Sequence, residues 1–243
     1  MLDLICVEFL KLRRKKFVGL MLLTALVMPL FSIFYFAPLD KTGLEPVEFF
    51  KWTAFSYTPW IILPVALGLV CTMLMYDEHQ HDVLKQLWMI PVRPALYCLA
   101  KASVVMAFSI AFMLLTAGAS VLTGFFAASL SPSGADIIYL FRKCLEIGGI
   151  APLCMLPILA IAASQRGYIL PVCASLVYTF LGFILLMVDM YIHPLSSMTA
   201  IVMRDIPGVV MQEPVDLLRG FVCIGVWGIA SIAWAVITLS KRK

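Results

Sequence analysis

The residues of this chain that could do chemistry are concentrated in one polar stretch, Asp77 to Lys101, with the sequence DEHQHDVLKQLWMIPVRPALYCLAK. His79 and His81 stand beside Asp77, Glu78 and Asp82, a composition that suggests metal binding. The spacing argues against it. Residues two apart on a helix do not face the same way, and no cysteine or third histidine stands at ligand spacing. No metal site is expected. Proton transfer or hydrolysis at membrane depth needs ionisable groups inside apolar segments. Here the nearest acids, Asp77, Glu78, Glu146 and Asp189, all lie at the ends of apolar runs, so no catalytic residue is expected. His193, beside Pro194, reads as structural.

What the stretch does offer is a docking surface. Asp82 and Lys85 are three apart and pair on one helical face. Leu84, Leu87 and Trp88 form an apolar stripe at i, i+3 and i+4. Pro91 drives Ile90 out of the helical region and ends the helix. Pro94 is suited to the first turn of the next helix, and Lys101 is expected to snorkel to the headgroups. The expectation is a short amphipathic helix on which a soluble partner can push. Its contact residues would be Glu78, Asp82, Lys85, Leu87, Trp88, Pro91 and Arg93, with Gln165 and Arg166 as a minor second contact.

The elements that must hold this stretch are apolar. Hydrophobic residues make up 63% of the 243 positions, charged residues 13%, and the mean hydropathy is +1.01. A soluble domain carries about 25% charge, so the chain belongs in a membrane. Six charge-free runs, residues 17–38, 59–76, 102–126, 147–164, 168–188 and 221–239, are each long enough to cross about 30 Å of hydrocarbon as a helix. Pro64, Pro152 and Pro157 interrupt two of them. The expected fold class is therefore an all-α integral membrane protein with six transmembrane helices in a single transmembrane domain over 1–243.

Charge sets the expected orientation. With the N-terminus inside, the inner side holds Lys11, Arg13, Arg14, Lys15, Lys16, Lys85, Arg93, Lys101, Arg166, Lys241, Arg242 and Lys243. The outer side holds half as many: Lys41, Lys51, Arg142, Lys143, Arg204 and Arg219. Both termini are thus expected in the cytoplasm. Residues 1–16 read as an interfacial helix with its basic end in the headgroups, not as a cleavable signal. Phe49, Phe50, Trp52, Phe55 and Tyr57 form an aromatic cluster expected at the outer interface. Residues 189–220 contain apolar pieces too short to cross, such as Met198–Met203, and are expected to be interfacial or re-entrant helices capping the outer end. Ser103, Ala107 and Ala111 permit close helix packing, in the bundle or against a second copy. The seven scattered cysteines form no CxxC pair and read as packing residues.

In this order of features the chain resembles the permease subunits of ABC-2-type ABC exporters. The match lies in the Val-Glu-Phe-Leu-Lys-Leu start at residues 7–12 with the basic run after it. It continues in the series Glu78, Lys85, Leu87, Pro91, Val92 and Lys101 between spans 2 and 3. The turn, often Pro-Val-Ser-Arg in that family, reads Pro-Val-Arg-Pro here. The small size and N-terminal start most resemble the branch associated with lantibiotic and bacitracin self-immunity. The resemblance implies a cytoplasmic coupling helix over about 78–93, docked on a separate ATP-binding subunit, and a second permease copy or sister permease. It also implies a bacterial plasma-membrane location and an amphipathic peptide or lipid-like cargo. ATP and Mg2+ would belong to the partner ATPase, with no cofactor on this chain; no G-x-x-x-x-G-K-[ST] phosphate loop occurs in it. Alternatives are a permease for ions, small drugs or envelope lipids, and a non-transporting scaffold or sensor subunit. No nucleic-acid partner is expected.

Overall fold

The computed structural model describes residues 2–13, 15–36, 45–80, 94–127, 130–209 and 214–240. Among these residues the fold is all helix, with no strand. The N-terminal helix α1 (Leu2–Arg13) precedes six helices long and apolar enough to span a membrane. Span 1, Lys16–Phe36, consists of α2 (Lys16–Leu23), a 3-10 turn and α3 (Val27–Phe36). Span 2, Pro46–Glu78, joins α4 (Pro46–Thr53), a π-helical turn at Thr58–Ile62 and α5 (Leu63–Gln80). Span 3 is α6 (Pro94–Ala127), and span 4 is α7 (Gly134–Cys154) with α8 (Leu156–Ser164). Span 5 is α9 (Ile169–Val188). The short α10 (Pro194–Met203) follows, and span 6 is α11 (Leu217–Ser240). Spans 2 and 4 form the buried centre, while spans 1, 5 and 6 expose most of their surface.

Several helices run well beyond the charge-free stretches, starting at Pro46, Pro94 and Gly134 instead of residues 59, 102 and 147. The physical reason is that the buried charges inside them, Lys101 and Lys143, are paired. Lys143, almost fully buried, bonds Glu146 at 2.9 Å and Asp205 at 3.3 Å. The start of α7 is set by a capping box, in which the Ser133 hydroxyl accepts from the Asp136 amide and the Asp136 side chain accepts from the Ser133 amide.

Prolines interrupt span 4 where the sequence predicts, and span 1 as well, and neighbouring side chains satisfy the freed carbonyls. Pro29 has no N–H to give Ala25, and the Thr116 hydroxyl from span 3 donates to the Ala25 carbonyl at 3.3 Å instead. Between Pro152 and Pro157 the helix changes at Met155, and the Tyr178 hydroxyl donates to the Cys154 carbonyl at 2.7 Å.

The aromatic cluster divides in two. Phe49, Phe50 and Phe55 are core residues, while Trp52 and Tyr57 are exposed. Of the small residues in span 3, Ser103 and Ala107 are half-buried and Ala111 is exposed, so that face is not consumed inside the chain. The segment after span 5 does contain a short apolar helix. All ten residues of α10 are buried, against α7, α9 and α11. Its N-cap is His193, whose Nδ1 accepts from the Leu195 amide at 3.3 Å. It is clasped at its far end by Lys143, which donates to the Val202 carbonyl at 3.4 Å.

Candidate functional site

The site grows from the last turn of α5, the only described part of the predicted contact surface between spans 2 and 3. Glu78 ends span 2 with its side chain turned inward, 4% exposed. Asp82, Lys85, Leu87, Trp88, Pro91 and Arg93 lie outside the described residues. Gln165, half-buried, and Arg166, exposed, occupy the turn between α8 and α9. That turn lies at the same end of the bundle, since Tyr76 and Tyr168 pack edge to face with ring centroids 5.5 Å apart.

Lys101 is the correction. It does not reach out to headgroups: it is 1% exposed. The reason lies in its partners. Its ammonium donates to Glu78 Oε1 at 2.6 Å, to Glu8 Oε2 at 2.7 Å and to the Leu74 carbonyl at 3.1 Å. An ammonium has three protons, and each has an acceptor here. Lys11, one turn beyond Glu8 on α1, donates to Glu8 Oε1 and to Glu78 Oε1, both at 2.8 Å. The Tyr97 hydroxyl donates to Glu78 Oε2 through a short hydrogen bond, and the Lys101 ammonium lies 5.1 Å from the Tyr97 ring centroid. All four carboxylate oxygens therefore have charge-assisted or hydroxyl partners. A more exposed pair, Lys15 with Asp77 at 2.9 Å, flanks the cluster.

Burying charge is costly unless it is paired and fully hydrogen-bonded. Glu8, Glu78, Lys11 and Lys101 meet that condition, with two charges of each sign and a formal sum of zero. Burial alone would lower the pKa of the Lys11 ammonium, but the Glu78 and Glu8 carboxylates outweigh it and raise the value above that of an ordinary lysine. A gap of about 30 Å³ beside the cluster has room for about one water molecule. Among the described residues no three His, Cys, Asp or Glu side chains come together as a metal would require.

Sequence reasoning missed Glu8, Lys11 and Tyr97. The available signal was Glu8 itself, an acid set between the apolar residues Val7 and Phe9. In the structure α1 is inverted relative to a soluble amphipathic helix: Val7, Phe9 and Leu10 face outward and Glu8, at 2% exposure, faces in. That arrangement suits a helix lying in an apolar medium.

At the other end of span 1, Phe31, Tyr35, Trp52 and Tyr57 help line an apolar groove of about 330 Å³. Its one hydroxyl from a serine, that of Ser32, is spent on the Pro29 carbonyl at 2.6 Å, and Tyr35 stacks on Trp52 with centroids 5.7 Å apart.

Residues 4–182, most of the chain and including nearly all of α1 and both helices flanking residues 81–93, match the family described as ABC-2 family transporter protein. The chain belongs to the ABC-2 transporter family. No curated protein matches it. As an ABC-2 transporter membrane component the chain is a transport subunit, not itself catalytic. The matched stretch takes in Glu8, Lys11, Glu78, Tyr97 and Lys101 and stops before α10 and span 6.

Proposed function

We propose that this ABC-2 protein is the permease subunit of an ATP-driven exporter in a bacterial plasma membrane, with both termini cytoplasmic and residues 77–101 as its coupling segment. The observation that carries this reading is the fixation of Glu78. A segment that receives force needs a rigid root, and Glu78 is held by Lys101, Lys11 and Tyr97 where span 2 ends. A separate ATP-binding subunit would dock on Asp82, Lys85, Leu87, Trp88, Pro91 and Arg93, with Gln165 and Arg166 touching it from the neighbouring turn. A second permease copy or sister permease would complete the transporter. For cargo we propose a membrane-active peptide of the lantibiotic or bacitracin type. The apolar groove beside Trp52 and the exposed apolar spans support an amphipathic cargo taken from the bilayer.

The test is co-purification of an ATPase with the tagged chain, followed by Trp88→Ala and Glu78→Gln. Both variants are expected to insert normally and to lose ATPase assembly or ATP-driven export. Normal export by both would refute the coupling assignment. Cells with and without the protein, challenged with a panel of peptide antibiotics, test the cargo; equal sensitivity across the panel refutes the immunity role.

A further inference from the structure

We infer that Glu8 and Lys11 of the N-terminal helix are positioning residues for coupling, which fasten α1 to the root of the segment 81–93 so that the two move as one body. The inference rests on the reading of that segment as the place where an ATPase pushes.

Three elements far apart in sequence meet at the cluster. Glu8 and Lys11 come from α1, Glu78 from the end of span 2, and Lys101 from the start of span 3. The charges alternate around a closed ring: Lys11 touches both carboxylates, and so does Lys101. No oxygen of either carboxylate and no proton of the Lys101 ammonium is left over for another ligand. The ring is neutral and each carboxylate oxygen already has a partner, so it is a fastener and not a binding site.

Its position gives it a mechanical role. Residues 81–93 enter from Glu78 and leave toward Tyr97 and Lys101, so both roots of the segment are members of the same cluster. The outward face of α1 is apolar, with Leu10 57% exposed, and its inward polar anchorage is this ring. Sliding α1 past Glu78 would separate charge-assisted bonds made by two buried carboxylates and the buried Lys101. Moving the ring whole separates none. A displacement of the segment's roots is therefore passed to α1 and, through Lys15 and Lys16, to span 1.

The experiment uses the complex with its ATP-hydrolysing subunit in lipid nanodiscs. Cys6, exposed on α1, and a Gln80→Cys label at the exposed end of α5 form one spin-label pair in a Cys173→Ser background. Gln80→Cys with exposed Cys173, in a Cys6→Ser background, forms the reference pair across to span 5. The other cysteines are buried. Distances are measured without nucleotide and after vanadate trapping of ATP. The distance between the labels on α1 and α5 is expected to stay narrow and unchanged, while that of the reference pair shifts. In Glu8→Gln the α1-to-α5 distribution should broaden and become nucleotide-dependent. Glu8→Gln with Lys11→Gln, which restores neutrality, should narrow it again. An α1-to-α5 distance that shifts in the unsubstituted ring overturns the inference, as does a Glu8→Gln distribution as narrow and invariant as the parent's. An invariant distance in the reference pair instead sinks the underlying coupling reading.

Discussion

Lys101→Met separates a buried fastener from a surface ion pair in one measurement. The substitution keeps the length of the side chain and deletes its charge. Glu8 and Glu78 are then left with Lys11 as the ring's one cation, while Tyr97 still donates to Glu78, and the ring carries a net negative charge on two buried carboxylates. Removing one partner of a buried ion pair costs about 3–5 kcal/mol. Lys11, with 42% of its side chain exposed, still reaches both carboxylates, which places the cost at the lower end, about 3 kcal/mol. For a chain of this size each kcal/mol lowers Tm by roughly 2–4 °C, so a fall of about 6–12 °C is expected. Lys15→Met is the control: its pair with Asp77 is 43% and 30% exposed and is worth about 0–1 kcal/mol. Unfolding can be followed in detergent with a thiol-reactive fluorophore, since Cys71, Cys98, Cys144, Cys154 and Cys223 are buried; Cys6 and Cys173 are first replaced by serine. If the two variants melt within about 2 °C of each other, the buried ring does not hold these helices together.

Three further outcomes follow from the packing. Gly68→Ala would place a Cβ 2.5 Å from Ser175 Cβ and wedge spans 2 and 5 apart, at about 1–3 kcal/mol; adding Ser175→Gly should recover most of the lost Tm. Thr116→Val removes the donor to the Ala25 carbonyl and should cost about 1 kcal/mol, seen as a small Tm decrease with normal membrane yield. His193 has its pKa lowered by burial from 6.5 to about 4, so between these values the unfolded chain binds the extra proton and stability rises with pH. Thermal stability should therefore drop as pH falls from 6.5 toward 4, as Nδ1 loses its lone pair for the Leu195 amide. His193→Asn should cap α10 and flatten that part of the pH profile; an unchanged slope would refute the assignment.

The spans were legible because an apolar run long enough to cross a bilayer has few alternatives to a helix, and the break at Pro152–Pro157 follows from the missing N–H groups. The short helix after span 5 was legible in part, as the apolar piece Met198–Met203, while its first turn from Pro194 was not. The ring was not. Lys101 read alone is a lysine at a helix end with an interface within reach, and its partner Glu8 lies 93 positions away. Nothing in a linear pattern distinguishes a lysine that snorkels from one that meets a carboxylate, because the difference depends on where α1 lies. The same blindness shortened the predicted helices: Lys143 falls before the charge-free run that starts at residue 147, and only the fold brings it to Glu146 and Asp205. Phe49 and Phe50 looked interfacial for a similar reason, since the aromatic side chains that sink and those that stay at the surface share one composition.

The burial of α10 has a consequence for biogenesis. Ten residues are too few to partition into a bilayer unaided, and the pocket that receives this helix is walled by α7, α9 and α11. One of those walls, span 6, is translated after α10 itself. Until span 6 is in place, the pocket for this helix lacks that wall. A nascent chain stopped before Leu217 would hold five inserted spans and an unseated α10, its apolar surface open to proteases and chaperones. Seating of the short helix is thus tied to the insertion of span 6.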